Sequence, residues 1–415
     1  MWLSEMIEKQ KQAISEYLRQ SEKNSLLIGA ELEFLIVDKF TKESISYYGK
    51  HGIEELLKTL TNNGFTADLE DDHIIGVHNE YLAITLEPGA QWEISLNPQK
   101  SFEIMEANYL EFMELLLPIL QSKNQIPFSS GYLPISRIDD IKFIPKKRYK
   151  YMSEYLGKTG KYAHNMMKGT ASIQVAIDFR DEEDFIRKMR LACRLTPIFS
   201  AVFDNTAIFE GKPYKDFCLR TLIWNCCDNQ RCGIVPSVFY DDFGYQKYAE
   251  YILNLVPIII QNENGSITSD DPFFINFDLT KNIYEQLNHI FSMCFPDVRA
   301  RNYIELRMTD SLPYPLNFAF VELIDFIFND DDNFEMVEDL LEKINLDEIN
   351  MAKQKIIKKG INAEYNGKTI IHHMQQIMKN IPDGKYQTMI KQMASKEIIP
   401  RELEQIGGQL ASTDI

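Results

Sequence analysis

Between Ile84 and Ser95 the chain reads Ile-Thr-Leu-Glu-Pro-Gly-Ala-Gln-Trp-Glu-Ile-Ser, two short extended runs around a Pro-Gly pair. Proline presets φ and glycine accepts conformations that other residues resist, so Pro88-Gly89 predicts a reversal. After it the side chains alternate: Gln91, Glu93 and Ser95 fall on one face, Trp92, Ile94 and Leu96 on the other. A carboxylate fixed mid-strand beside a packed core is costly unless something cationic meets it.

Three further strands share this design. In Ala30–Val37, Glu31 and Glu33 oppose Leu32, Phe34 and Ile36. In Thr170–Phe179, Thr170, Ser172, Gln174 and Asp178 oppose Ala171, Ile173, Val175, Ile177 and Phe179. In Tyr303–Met308, Glu305 and Arg307 oppose Ile304, Leu306 and Met308. Strands with an apolar back and a polar front predict an antiparallel sheet with one exposed or functional face. For any one strand a solvated face is the ordinary explanation. Together, however, Glu31, Glu33, Glu87, Glu93 and Glu305 concentrate negative charge on strands without a lysine. Ligation of a hard cation by oxygen is the cheapest way to neutralise such a cluster.

Helical spacing appears elsewhere. Trp2–Ser21 is amphipathic, Gly52–Asn63 is a short helix, and Ser101–Lys123 a long one carrying Pro118 near its end. Glu182–Phe203 follows Asp181, a plausible N-cap. Asn317–Asn329 is an apolar helix, and helices with a lysine-rich stretch, Lys353–Lys359, follow from Phe334. Lys212–Gly244, with Arg220, Trp224 and Arg231, reads as loop-rich. Phe143–Tyr155 carries Lys146, Lys147, Arg148 and Lys150, either as a solvated basic loop or as a segment facing phosphate. His372 and His373 sit in a charged helical context that predicts a surface role.

Composition narrows the chemistry. A formal net charge of −17 over 415 residues argues against sequence-independent nucleic-acid binding and against anionic membranes. Anionic substrates would therefore need local cations, a metal or arginines. No apolar run reaches the length of a membrane span, the N-terminus lacks the pattern of a secretory signal, and six cysteines are sparse, which together predict a cytoplasmic protein. Cys226, Cys227 and Cys232 lack the paired spacing of a zinc site. Asn366-Gly367-Lys368-Thr369 lacks the upstream glycine of a P-loop, and there is no GxSxG or GxGxxG. Nucleotide chemistry, if present, runs on a carboxylate and metal platform.

Several segments, in order, carry a resemblance: Gly29–Glu33, Leu86–Ser95, Ile144–Tyr149, Thr170–Phe179 and Tyr303–Arg307, with Glu210–Pro213 and Phe239–Tyr245 between them. The chain resembles the glutamate–cysteine ligase family, in its plant and proteobacterial branch, over about Ile28–Ile327. The resemblance implies an α+β fold: a curved antiparallel sheet of the glutamine synthetase-like type, with helices packed on its outer face. It implies a catalytic domain over residues 1–330 and a mostly helical extension over 331–415. Two residues depart from the family pattern. Leu32 stands where the plant motif has His, and Cys226 and Cys227 replace polar residues, so redox control is not inferred.

Carried over by position, the resemblance implies that Glu31, Gln174 and Glu305 hold one Mg²⁺ (or Mn²⁺), and that Glu33, Glu87 and Glu93 hold its neighbour. Arg307 would steady the transferring phosphoryl group, with Arg220 and Arg231 around substrate carboxylate and phosphate. Met166, Met167, Thr170 and Trp224 match a glutamate pocket, and Arg148 matches the phosphate-facing segment. The implied reaction joins the γ-carboxylate of glutamate to the amine of cysteine, with ATP as co-substrate, in a monomer or homodimer. A ligase using another amine, or an inactive metal-binding homologue, shares the same platform. Asp178 is a candidate base for the amine.

Overall fold

The computed structural model describes residues 2–262, 265–268 and 283–401. Among these, nine strands join in one open sheet. They are β1 (Ile28–Asp38), β2 (Thr66–Glu70), β3 (His73–His78), β4 (Leu82–Leu86), β5 (Trp92–Gln99), β6 (Gln125–Phe128), β7 (Ser172–Ile177), β8 (Val298–Ala300) and β9 (Ile304–Asp310). Their spatial order is β8-β9-β7-β1-β5-β4-β3-β2, with β6 beside the second half of β1, and every pair is antiparallel.

The acid-bearing strands β9, β7, β1 and β5 are consecutive neighbours, so their polar faces merge into one surface. Glu31 lies opposite Gln174 on one side and Ser95 on the other, Glu33 opposite Glu93, and Glu305 opposite both Ala176 and Arg299. The back of the sheet is apolar. Leu32, Phe34, Trp92, Ile94, Ile173, Val175, Ile304 and Leu306 are buried, with the Phe34 and Trp92 rings 6.0 Å apart. Each such side chain contributes about 1.5–3 kcal/mol on burial. Leu32 belongs to this back layer, so its departure from the family pattern does not reach the polar face. Helices Phe102–Gln121, Glu182–Val202 and Leu316–Phe328 pack against the sheet. Pro118 sits in the last turn of the first, where it removes a single hydrogen bond to the preceding turn.

The hairpin between β4 and β5 forms where expected, but its glycine has a different task. The left-handed φ, 69°, belongs to Ala90. Gly89 is needed for close approach: a Cβ there would lie 2.3 Å from the carbonyl oxygen of Lys168.

Other expectations need revision. The basic segment is helical, Lys147–Thr159, and the loop-rich stretch holds a helix, Leu219–Asn225. His373 is buried rather than at the surface, its Nε2 2.8 Å from the Tyr365 carbonyl oxygen, and burial lowers its pKa. The apolar side of an amphipathic helix claims it, which a reading by charge alone missed. Helices Asp331–Leu341, Leu346–Lys359, Ile370–Asn380 and Gln387–Lys396 pack against the Glu182–Val202 and Leu316–Phe328 helices. The end of the proposed extension, residues 402–415, lies outside the described residues. No described helix is long and apolar enough to cross a membrane.

Asp181 caps the Glu182–Val202 helix, its Oδ1 accepting the Asp184 N–H at 2.9 Å. Replacing it with alanine orphans that donor, and urea unfolding of Asp181→Ala is expected to show a loss of about 1 kcal/mol, largely restored in Asp181→Asn.

Candidate active site

The polar face of the sheet floors a cleft of about 260 Å³. Glu31 and Glu33 of β1, Glu93 of β5 and Gln174 of β7 line it, together with Glu87 just past β4. Helix Lys147–Thr159 contributes Arg148, and helix Ala163–Gly169 contributes Met166 and Met167, with Thr170 directly after. Arg220 and Trp224 enter from helix Leu219–Asn225, and Arg307 from β9. Residues scattered over more than 270 positions of sequence thus meet in one depression because four adjacent strands present the same face.

The carboxylates divide into two kinds. Glu33 is held by the protein: it accepts from the Ser172 N–H at 2.6 Å, the Ser172 hydroxyl at 3.0 Å and Gln174 Nε2 at 2.8 Å. Burial, then repulsion from Glu87, still pushes its pKa up to about 7. Glu93 accepts from Thr85 Oγ1 at 2.7 Å, yet burial and the charges of Glu87 and Glu33 push it up to about 8. Glu31 is raised well above the usual carboxylate range, by burial first and then by Glu93 and Glu305. Glu305 behaves in the opposite way. Burial alone would raise it, but Arg299 and Arg307 hold it down at about 2. Arg299 grips it in a fork, Nε to Oε2 at 2.7 Å and Nη2 to Oε1 at 3.1 Å. Arg307 adds a third bond at 3.0 Å and also donates to Gln174 Oε1. Glu305, 1% exposed, therefore lies behind the cleft floor, its oxygens engaged by arginine.

Arg231 and Asp178 are placed elsewhere. Arg231 is fully buried and spends its donors on Asp228 (2.7 Å), the Met293 and Val256 carbonyls (2.8 and 2.7 Å) and the Tyr155 hydroxyl (3.0 Å). It is a structural strut, and the substrate-facing role expected of it is corrected. Asp178 accepts the Leu27 N–H at 3.0 Å beyond the end of β7 and does not line the cleft, which removes it as a base.

Sequence reasoning missed part of the basic half of the site, Arg299 and Arg301. Besides Arg148, Arg220 and Arg307, the cleft is lined by Lys146, Arg299 and Arg301. Val298-Arg-Ala-Arg301 alternates charge and small apolar residues just before the β9 strand, a period-two signal that could have placed both arginines on the acid-bearing face. Gln91 was also unassigned. Its amide donates to the Met167 and Thr170 carbonyls at 3.2 and 3.0 Å and accepts from the Gly89 N–H at 2.8 Å, fastening the hairpin to the methionine wall. Among the described residues, four cleft-lining donors, Arg148 Nε, Arg220 Nε, Arg301 Nε and Trp224 Nε1, are buried without a partner. Buried N–H groups normally find acceptors, so these four suit an anionic ligand.

The fit to a divalent cation follows from the donor set. It is all oxygen, and burial together with repulsion from neighbouring carboxylates raises Glu31 and Glu93, a repulsion that a cation would relieve. Among the described residues no three acidic, imidazole or thiol side chains converge as a ready cage. Mg²⁺ seldom uses one, taking one or two carboxylates and completing its octahedron with water and substrate phosphates. Glu31, Glu87 and Glu93 fit that partial role better here than Glu305 and Gln174, which arginine engages.

Comparison with known proteins bears on the fold and the family. A crystal structure of glutamate–cysteine ligase from Francisella tularensis, in complex with AMP, superposes with a TM-score of 0.56 at 13% identity, covering 94% of this chain and 86% of that one. At that identity the likeness concerns the fold alone. Chloroplastic glutamate–cysteine ligases of Arabidopsis thaliana and Nicotiana tabacum are 30% and 29% identical over 327 and 325 residues, 76% of this chain. The chain spans 62% of the length of those relatives. Their chloroplastic names overturn the cytoplasmic location expected above, since sparse cysteines do not distinguish one reducing compartment from another. The family model for glutamate–cysteine ligase family 2 matches residues 27–393, well past the Ile327 limit of the resemblance. The chain belongs to glutamate–cysteine ligase family 2.

Proposed function

We propose that this chain joins the γ-carboxylate of glutamate to the amine of cysteine at the expense of ATP, giving γ-glutamylcysteine, the first step of glutathione biosynthesis. The observation that carries the reading is the pairing, in one cleft, of repelling carboxylates with buried, unpartnered guanidinium donors. Such a site suits a polyanion that arrives with its own cation. The family match supports the choice of substrates. We further propose that residues 1–330 form the catalytic unit and 331–415 an extension packed on it.

A carboxylate is a poor electrophile. In the proposed sequence the glutamate γ-carboxylate attacks the γ-phosphorus of ATP, releasing ADP and forming γ-glutamyl phosphate. The amine then attacks the acyl carbon, and phosphate leaves. Little covalent work falls to the protein, which positions the reactants and offsets charge. Glu31, Glu87 and Glu93 would hold Mg²⁺ (or Mn²⁺), which when bound supplies positive charge beside the triphosphate. Arg307, steadied by Glu305 and Gln174, directs its remaining donors toward the transferring phosphoryl group. Arg148 is oriented by Ser292, with Nη2 bonds of 3.0 and 3.3 Å, and Arg220 supplies a second guanidinium. Met166, Met167, Thr170 and Trp224 form the less polar wall against which the glutamate stem would lie. A purely inactive homologue would have no need for this full constellation.

Three measurements test the reading. Glu31, Glu33 and Glu93 have folded-state pKa values above those of the unfolded chain, so the native state holds extra protons, and stability falls as pH rises from about 4.5 to 8. Glu305 has the opposite sign, and its contribution is lost only as pH falls toward 2. The melting temperature of EDTA-treated protein is thus expected to drop between about pH 5 and pH 8. Mg²⁺ should recover more of it at the upper end, and Glu93→Gln should flatten the profile. A flat profile insensitive to Mg²⁺ overturns the metal assignment.

Arg307→Lys keeps the charge but loses the planar fork, so kcat is expected to fall on the order of tenfold to hundredfold while KM for glutamate changes little. A change confined to KM assigns Arg307 to ground-state binding.

ADP release should require glutamate and rise with cysteine. Discrimination against serine or 2-aminobutyrate should be modest, about 1–3 kcal/mol, because a pocket sensing one small group gains no more. A non-thiol amine preferred over cysteine by more than about tenfold in kcat/KM (roughly 1.4 kcal/mol) replaces cysteine as acceptor and leaves the phosphoryl step standing.

A further inference from the structure

Lys353 lies in helix Leu346–Lys359, outside the cleft, and is only 4% exposed. An ammonium so buried needs a partner, and its Nζ is paired with the carboxylate of Asp297. Asp297 directly precedes β8, the strand of Arg299. Its backbone is pinned on both sides: its N–H donates to the Gly233 carbonyl at 2.8 Å, and its carbonyl accepts the Arg307 N–H at 3.0 Å.

Beside this pair is a small pocket of about 20 Å³, room for about one water molecule. Lys353 and Asp297 line it together with Arg220 and Arg307, the two guanidinium groups that also line the cleft. Arg220 feels the charges of Glu33, which lines the cleft, of Asp310, and of Asp297, which lines the pocket, while its buried Nε has no partner among the described residues. Asp297 is therefore a rival for the cations that the cleft uses, and Lys353 is what occupies it.

We infer that Lys353 is a positioning residue: by pairing with Asp297 it leaves Arg220 and Arg307 directed into the acidic cleft. The helix of the C-terminal region thereby sets the charge balance of a cleft that it does not line, from behind helix Leu219–Asn225. This rests on the proposed ligation insofar as those arginines serve its substrates.

The test compares wild type, Lys353→Met, Lys353→Arg and the double variant Lys353→Met/Asp297→Asn, each with its melting temperature, ADP-release kinetics and calorimetric titration with ATP. Lys353→Met is expected to lose tenfold or more in kcat/KM and to bind ATP more weakly. Lys353→Arg should retain most activity. The double variant, which removes the uncompensated carboxylate, should recover most of the loss. A lysine that serves only as a packing anchor would give no recovery on neutralising Asp297. Lys353→Met within twofold of wild type, or a folded double variant no better than the single, overturns the inference. Wild type that releases no ADP instead defeats the functional reading. The ATP titrations of the same four proteins then decide the inference alone, recovery in the double variant supporting it and its absence overturning it.

Discussion

Like charges on a pleated surface cannot move apart, and this constraint shapes the molecule. β1 and β5 hold Glu33 directly opposite Glu93, with Glu31 one pleat away. Repulsion across a strand pair is destabilising unless it is offset. The protein offsets only part of it, giving Glu33 three hydrogen-bond donors and Glu305 a forked arginine, and leaving Glu31 and Glu93 with raised proton affinity. The apolar back layer, with Trp92 and three helices, holds this front in place. Stability resides on one face of the sheet and chemistry on the other.

Much of this was legible before any coordinates. The alternation in β1, β5, β7 and β9 identified the polar face and its acids, and the turn at Pro88-Gly89 was placed correctly. Capping by Asp181 was also readable, because one side chain and one backbone N–H decide it. What escaped was the pairing of charges across strands distant in sequence. Arg299 and Arg231 look alike as letters, yet one clamps the carboxylate behind the cleft floor and the other ties three loops together. Asp178 shares the parity of Gln174, but the strand ends before it, at Ile177. Periodicity indicates which face a residue occupies, and not how far along the strand the cleft extends.

The cleft also corrects the picture of an acidic site awaiting metal alone. Among the described residues six basic side chains line it, against a chain with a net charge of −17. The basic helix Lys147–Thr159 and the arginines of β8 and β9 offset the lining carboxylates Glu31, Glu33, Glu87 and Glu93. An anionic nucleotide can approach such a surface, whereas the average field of the protein would repel it.

Gly89 bears on how this protein can vary. The backbone there approaches the carbonyl of Lys168 so closely that even a methyl group would be accommodated only by parting the hairpin from the methionine wall. The close seating of the hairpin against the segment of Met167 and Lys168 thus depends on the absence of a side chain. Selection for activity would act on this position although it offers no atom to a ligand, and drift at it is closed to every other amino acid. The neighbouring Ala90 carries the unusual φ and has somewhat more latitude. In this hairpin the residue most resistant to replacement is the one with nothing to contribute but room.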